Sequence, residues 1–142
     1  MGHKIIHVLS IQASKQTVYK AITTQEGLSS WWTIDVKATP QEGSIINFRF
    51  HGTFNPDMKI RKLEENGRIE WECVDGAKEW MGSKFVFELS EQDDRTQLKF
   101  VQEYDKKISD EAYGVYNFNW GWYLQSLKDY CESGRGKPFK KA

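Results

Sequence analysis

Two rhythms of hydrophobic and polar residues run along this chain, and the points where they change divide it into elements. Over residues 3–12 the period is two. Ile5, His7, Leu9 and Ile11 share the inward face of a strand, with Ile6 and Val8 on the other. Ser14 follows, a residue whose hydroxyl can accept from a free backbone N–H and so start a helix. Val18, Tyr19 and Ile22 then recur at helical spacing over 15–23. A second short helical segment passes through Glu26 and Leu28 to Trp31.

From Ile34 to Tyr104 the period returns to two, which predicts about six strands. Ile46, Phe48 and Phe50 alternate with Asn47 and Arg49. Asn66-Gly67 marks a tight turn, because Asn-Gly tolerates the positive φ of a type I′ hairpin. A two-residue turn there sets Ile60 opposite Cys73 and Lys62 opposite Trp71. One face of that hairpin carries Met58, Ile60, Ile69, Trp71 and Cys73. The other carries Lys59, Arg61, Glu70 and Glu72, with Leu63 the exception. This is the pattern of an antiparallel sheet with one covered and one charged face, and Glu70 and Glu72 read as cross-strand charge partners rather than catalytic acids. Phe85, Phe87 and Leu89 continue it, and a polar loop from Glu91 to Arg95 leads to Leu98 and Phe100.

Residues 111–133 contain no proline and read as one long helix, roughly 30–35 Å at ~1.5 Å per residue. Its apolar positions include Val115, Phe118, Trp122, Leu124 and Leu127. Gly134 can end it in the left-handed conformation, with Pro138 beyond to prevent continuation. The fold class is therefore α+β: a curved antiparallel sheet wrapped around a long C-terminal helix, with two short helices after the first strand. One helix does not fill a concave sheet, so a space lined by aromatic rings is expected between them. Residues 1–134 form a single domain on this reading, and 135–142 a basic tail that frays.

Length and composition sharpen the picture. The 142 residues fit one domain able to bury a core without disulfide or metal support. Lys plus Arg and Asp plus Glu are 20 each, so the net charge is zero, which argues against nucleic acid as partner. The 8 Phe, 6 Tyr and 6 Trp are costly to expose and call for either a very aromatic core or a ring-lined hollow. Cys73 and Cys131 lack metal-ligand spacing and read as reduced thiols. No apolar run reaches the ~20 residues of a membrane span, and no signal peptide is evident, so membrane insertion is not expected and a cytoplasmic location is.

Three stretches carry a resemblance: IQASKQTVYKAIT (residues 11–23), TQEGLSSWWT (24–33) and WGWYLQSLKDYCESGRGKP (120–138). With the element order, they resemble the START-like (SRPBCC) helix-grip superfamily. Within it they resemble the family of the activator of heat-shock protein 90 ATPase homologue. The superfamily resemblance implies an apolar ligand beneath the long helix; some members, such as polyketide cyclases, are enzymes. The co-chaperones that name the nearer family carry a further N-terminal domain. This chain begins at the first strand, so chaperone activation is not carried over.

The candidate ligand-binding residues are Trp32, Phe48, Phe50, Met58, Trp71, Trp80, Phe85, Phe87, Phe100, Phe118 and Trp122. The alternative is that the rings interdigitate into a solid core. Of adjacent Trp31 and Trp32, one is expected in the core and the other at a pocket mouth, and Trp80 at an apolar rim. Tyr104, Tyr113 and Tyr116 offer hydroxyls to a ligand or to water. His3, His7 and His51 have no metal-ligand spacing; His7 is the clear ionisable candidate for an inward site. No nucleotide-binding glycine loop or nucleophile elbow occurs, and no catalytic residue, metal or cofactor is expected. The leading expectation is non-catalytic binding of a small hydrophobic or amphipathic molecule, as carrier or sensor. A cyclase- or hydrolase-type enzyme using the same cavity, a protein-interaction domain and a homodimer are the alternatives.

Overall fold

The computed structural model describes residues 3–52 and 54–140. In it the chain runs β1 (Lys4–Ile11), α1 (Lys15–Thr23), α2 (Gln25–Trp31), β2 (Asp35–Lys37), β3 (Ile45–Arg49), β4 (Asp57–Glu64), β5 (Arg68–Asp75), β6 (Lys84–Gln92), β7 (Arg95–Glu103) and α3 (Asp110–Ser133). A single 3-10 turn, Lys78–Trp80, lies between β5 and β6. Every strand pair is antiparallel, and the seven strands form one sheet in the order β1-β7-β6-β5-β4-β3-β2. Strands β2 to β7 are a meander, and β1 adds to its end beside β7. This is the expected helix-grip architecture.

The helices start where a side-chain oxygen can take a free N–H. Ser14, Thr24 and Ser109 accept from the backbone N–H of Thr17, Gly27 and Ala112. Gly134, at φ 83°, ends α3 in the left-handed region as its missing Cβ permits.

The β4–β5 hairpin departs from the expected register at its turn and at Arg61, with a further shift between Asp57 and Met58. Its turn takes three residues, 65–67, because Asn66 alone adopts a positive φ (58°) while Gly67 does not. Arg61 then bulges out of the ladder, so Ile60 pairs with Trp71 and Lys62 with Glu70, not with Cys73 and Trp71. An extra residue on one strand flips the alternation beyond it. That flip returns Leu63 to the core side, where it packs as a half-buried residue. Arg61 and Lys62 both stay outside. The expected cross-strand charge pairing holds for Glu72, which Arg61 meets at 2.7 Å, whereas Glu70 pairs along its own strand with Arg68 at 2.6 Å.

Helix α3 runs alongside β1 and is fastened to it by polar contacts. The Tyr113 hydroxyl donates to the Lys4 carbonyl (2.7 Å), and His7 Nε2 bonds Asn117 Oδ1 (2.9 Å). Lys128 donates to the Ser10 carbonyl, and the Gln12 N–H donates to Glu132 (2.8 Å). An edge strand presents unpaired backbone groups that invite other chains. Here a helix covers that edge.

The segment beyond Gly134 does not fray as expected. The Phe139 N–H donates to the Trp32 carbonyl (2.8 Å) and its own carbonyl accepts from the Ile34 N–H (3.1 Å). The Lys137 N–H donates to Ser126 Oγ (2.6 Å), whose hydroxyl in turn donates to the Trp31 carbonyl (2.9 Å). The α2 exit is thus held by α3 and the C-terminal segment together; residues 141–142 lie outside the described ones.

Trp31 and Trp32 are both buried, at 0% and 2% exposure. Both can be buried because Trp32 caps α2 rather than continuing it. Trp31 turns toward α1 and donates its indole N–H to the Ala21 carbonyl (2.8 Å). Trp32 lies nearly parallel beside it, with ring centroids 6.0 Å apart, and packs on the concave face of the sheet, 4.3 Å from the Phe48 ring. Gly27 permits this close approach of α2 to α1: a Cβ there would stand 2.6 Å from three backbone atoms of Lys20 and Ala21. Ala is favoured over Gly in a helix by ~1 kcal/mol, but the overlap is with backbone, which cannot swing aside. Gly27→Ala is therefore expected to destabilise the protein by about 1–3 kcal/mol, read from the urea midpoint at constant m-value; an unchanged or raised midpoint would refute this account of the α1–α2 contact.

Candidate functional site

The concave face of the sheet is filled mainly by rings. Phe48, Met58, Trp71, Phe85, Phe87 and Phe100 are each at most 1% exposed and form the floor. Trp32 lies over this floor, with ring centroids 5.2 Å from Phe50 and 5.0 Å from Trp120 of α3. Trp120 in turn sits 4.3 Å from Phe100 and donates its indole N–H to Gln102 Oε1 (2.7 Å). Through the inner half of the molecule these rings interdigitate, as in an ordinary core.

The rings do not close the space at one end. Between α3, the loop after β3 and the Lys78–Trp80 turn lies an opening of about 440 Å³. It is lined by Trp32, Phe50, Phe54, Ala77, Trp80, Tyr116, Asn119, Trp120 and Tyr123. Its size falls within the range of small-molecule sites, and its lining is aromatic with a few polar groups, as such sites usually are. A larger depression of about 660 Å³ lies on the convex face, but ion-paired Arg68, Glu70 and Glu88 dominate it. That is a solvated charge network rather than a hollow.

Of the residues expected to line a cavity, Trp32, Phe50 and Trp80 reach the opening. The floor residues Phe48, Met58, Trp71, Phe85, Phe87 and Phe100 lie behind it. Phe118 and Trp122 are on the opposite side of α3, 73% and 55% exposed, and do not face the sheet. At ~100° per residue they fall with Val115 on one stripe, while Tyr116, Trp120 and Tyr123 fall on another. The stripe turned inward runs Tyr113, Tyr116, Trp120, Tyr123, Leu127, Tyr130, a sustained 3-4-3-4-3 spacing. The outward stripe ends after Trp122, where Gln125 and Asp129 take its next positions. That persistence is the sequence signal that separates the two. Phe54, Ala77 and Asn119 lie in or beside loops and helix faces with no signal of their own.

The ionisable groups near the opening are phenols and one carboxylate. The Tyr116 hydroxyl donates to Glu79 Oε1 at 2.6 Å. Burial, and then this hydrogen bond, push the Tyr116 pKa far above the usual range. Tyr104 is 1% exposed, and burial raises it further. Both phenols therefore stay neutral at any physiological pH. His7 is not in the lining; it is engaged with Asn117 at the edge of β1. His51, at φ 68°, has Nε2 3.4 Å from Asp35 Oδ2 and is also outside the opening. Among the described residues, no group of three or more His, Cys, Asp or Glu is placed to hold a metal ion. Among the same residues, no helix is long and apolar enough to cross a membrane.

A curled antiparallel sheet gripping one long terminal helix, open at one end into a ring-lined hollow, defines a START-like helix-grip protein. The chain belongs to the family described as activator of Hsp90 ATPase homolog 1-like protein, whose model matches residues 12–132. It is similar to the solution structure of the Aha1 dimer from Colwellia psychrerythraea at 35% identity and a TM-score of 0.85, covering 94% of this chain and 99% of that one. Two further solved structures share the fold. Protein SSP2350 from Staphylococcus saprophyticus is 18% identical with a TM-score of 0.77, covering 96% of this chain and 97% of that one. Protein MLL2253 from Mesorhizobium loti is 17% identical with a TM-score of 0.78, covering 89% and 95%. No curated protein matches the sequence.

Neither thiol is set up as a nucleophile. Burial pushes Cys73 up to about 11, and burial with the nearby Glu132 pushes Cys131 up to about 12. The folded protein thus keeps protons that the unfolded chain releases near pH ~8.5. The sign follows: stability is unaffected below that pH and falls as pH rises toward 11, where the unfolded state alone is ionised. The urea midpoint is expected to drop between pH 7 and 9.5, and to drop less in Cys131→Ala. An equal drop in both proteins would show that Cys131 does not contribute.

Proposed function

We propose that this protein binds a small hydrophobic or amphipathic molecule in the opening beneath α3, as a carrier or sensor rather than as a catalyst. The observation that supports this most is the opening itself: space of about 440 Å³ bounded by Trp32, Phe50, Phe54, Trp80, Trp120 and Tyr123 in a core otherwise closed by the same kind of ring. Apolar burial at ~25 cal/mol per Å² favours a fused-ring ligand there without any charged contact. A binding role fits better than turnover. Catalysis needs an ionisable group with a suitable pKa beside the ligand. Burial and the Glu79 hydrogen bond raise the Tyr116 pKa and hold its phenol in the protonated form, and His7 is turned to Asn117. The membership of the helix-grip superfamily supports the same reading.

Saturable enhancement of N-phenylnaphthylamine fluorescence is the expected result, with a dissociation constant in the micromolar to sub-millimolar range. Ala77→Phe, which puts a ring into the opening, should weaken it at least tenfold. No saturable signal, or one indifferent to Ala77→Phe, would count against the site.

A second reading concerns self-association. Val115, Phe118 and Trp122 form an exposed apolar stripe on α3, at 57%, 73% and 55% exposure. Apolar side chains grouped in this way on a helix mark contact surfaces. The similar structure from Colwellia psychrerythraea is a dimer. We propose that this stripe meets a second copy of the chain. Light scattering on the purified protein should give the mass of two chains, and Phe118→Glu should give the mass of one while leaving N-phenylnaphthylamine binding intact. A wild-type monomer at high micromolar concentration would dismiss this reading.

A further inference from the structure

The aromatic contacts at the opening close on themselves. Centroid to centroid, Phe50 lies 5.1 Å from Phe54, Phe54 5.0 Å from Trp80, and Trp80 6.1 Å from Trp120. Trp120 lies 5.0 Å from Trp32, and Trp32 5.2 Å from Phe50, which completes the circle. All five rings line the opening. Among the described residues, no ring contact crosses the circle from one member to a non-neighbour. A solid pile of rings would make such contacts; rings set round a space do not. Successive members are turned against one another by 48°, 88°, 13°, 33° and 67°, so the line of contacts bends as it goes. Trp32, Phe50, Trp80 and Trp120 are at most 8% exposed and are held by the core behind them. Phe54, on the loop after β3, is the half-buried member.

An aromatic face carries negative charge density, so it draws a cation and repels an anion. The attraction operates within ~6 Å of a ring centroid and is strongest for Trp. A point on the axis of a circle this size, in its plane or a little above it, lies within that ~6 Å of all five centroids. The chain places no cation there itself, since no Lys, Arg or His lines the opening. The cation–ring contact found among the described residues, Lys137 over Trp122 at 5.8 Å, is on the outer side of α3.

The charge tied to the lining is negative. Glu79 accepts from the Tyr116 hydroxyl through Oε1, and among the described residues no Lys, Arg or His pairs with it. A carboxylate ligand would meet ring faces, a like charge and no cationic partner. An alkylated ammonium meets the reverse. Its charge is spread over its alkyl groups and it brings no N–H that must find an acceptor, so moving it out of water costs less than moving a compact ion.

We propose that the circle of Trp32, Phe50, Phe54, Trp80 and Trp120 is an aromatic cage for the alkylated ammonium group of an amphipathic ligand. The opening then selects organic cations over neutral molecules of the same shape and over carboxylates. This rests on the reading of the opening as a ligand site, and it names the class of ligand that site takes. The Glu79 charge acts from across the Tyr116 side chain rather than by contact.

Displacement of N-phenylnaphthylamine from the full chain at pH 7 compares three probes built on one ring system. They are trimethyl(2-naphthylmethyl)ammonium, its neutral isostere 2-neopentylnaphthalene, in which carbon replaces nitrogen, and 2-naphthylacetate. The ammonium is expected to bind about tenfold more tightly than the isostere, the scale of a desolvated cation–ring contact, and naphthylacetate more weakly than the ammonium. Phe54→Leu keeps apolar bulk without the ring and should cut the ammonium-to-isostere ratio severalfold; Phe54→Tyr should restore it. Glu79→Gln keeps an acceptor for Tyr116 and should lower the same ratio with the isostere unchanged. Equal or tighter binding of the isostere, tightest binding of naphthylacetate, or a ratio unmoved in both Phe54→Leu and Glu79→Gln would overturn the cage while leaving the hollow. Absence of any saturable N-phenylnaphthylamine signal would instead overturn the reading of the hollow itself.

Discussion

A single helix has to cover the concave face of seven strands, and the mismatch in width sets much of what this molecule is. The backbone of α3 comes close to β1, α1 and α2, not to the middle of the sheet. The distance left over is spanned by side chains, and only the largest ones reach. Trp32, Trp71, Trp80 and Trp120 occupy that layer, each burying an area that in other proteins runs to 150–250 Å². An indole stabilises by its burial and also keeps helix and sheet apart. Where the layer stops, at the end bounded by Ala77 and Asn119, the opening begins.

The same constraint explains the polar fastening. A helix held only by rings across a wide gap has few close backbone contacts to fix its position along the sheet. Tyr113, Asn117, Lys128 and Glu132 supply them at successive points of β1, and they also satisfy or cover groups at the strand's open edge. Ser126 does the same at the α2 exit, with the segment through Phe139 closing over it. Rigid seating at one side of α3 leaves the other side free to border a hollow.

Much of the architecture could be read from spacing. Ser14, the period of residues 15–23, the alternation at Phe85–Leu89 and the stop at Gly134 each reflect a local requirement: a cap, a turn of 3.6 residues, a pleat, a positive φ. The hairpin register could not be read in the same way. Asn66-Gly67 names a turn, but whether it takes two or three residues depends on which of them adopts the left-handed conformation. The Arg61 bulge left only a trace, Leu63 on the wrong face of a regular alternation. Of the residues expected at a cavity, the three that line the opening, Trp32, Phe50 and Trp80, are those next to a change of element. Trp120 and Tyr123 were obscured because α3 carries aromatic residues all round, and Trp122 and Phe118 compete with them over any short window.

By itself the sequence determined the elements, their order, the covered and charged faces of the sheet and the abundance of rings, because these follow from periods and caps spanning a few residues. Tertiary structure alone decided which rings became floor, wall or surface. Those outcomes depend on the distance between α3 and the sheet, and that distance is set by contacts between residues a hundred positions apart, such as His7 with Asn117 and Trp31 with Ser126.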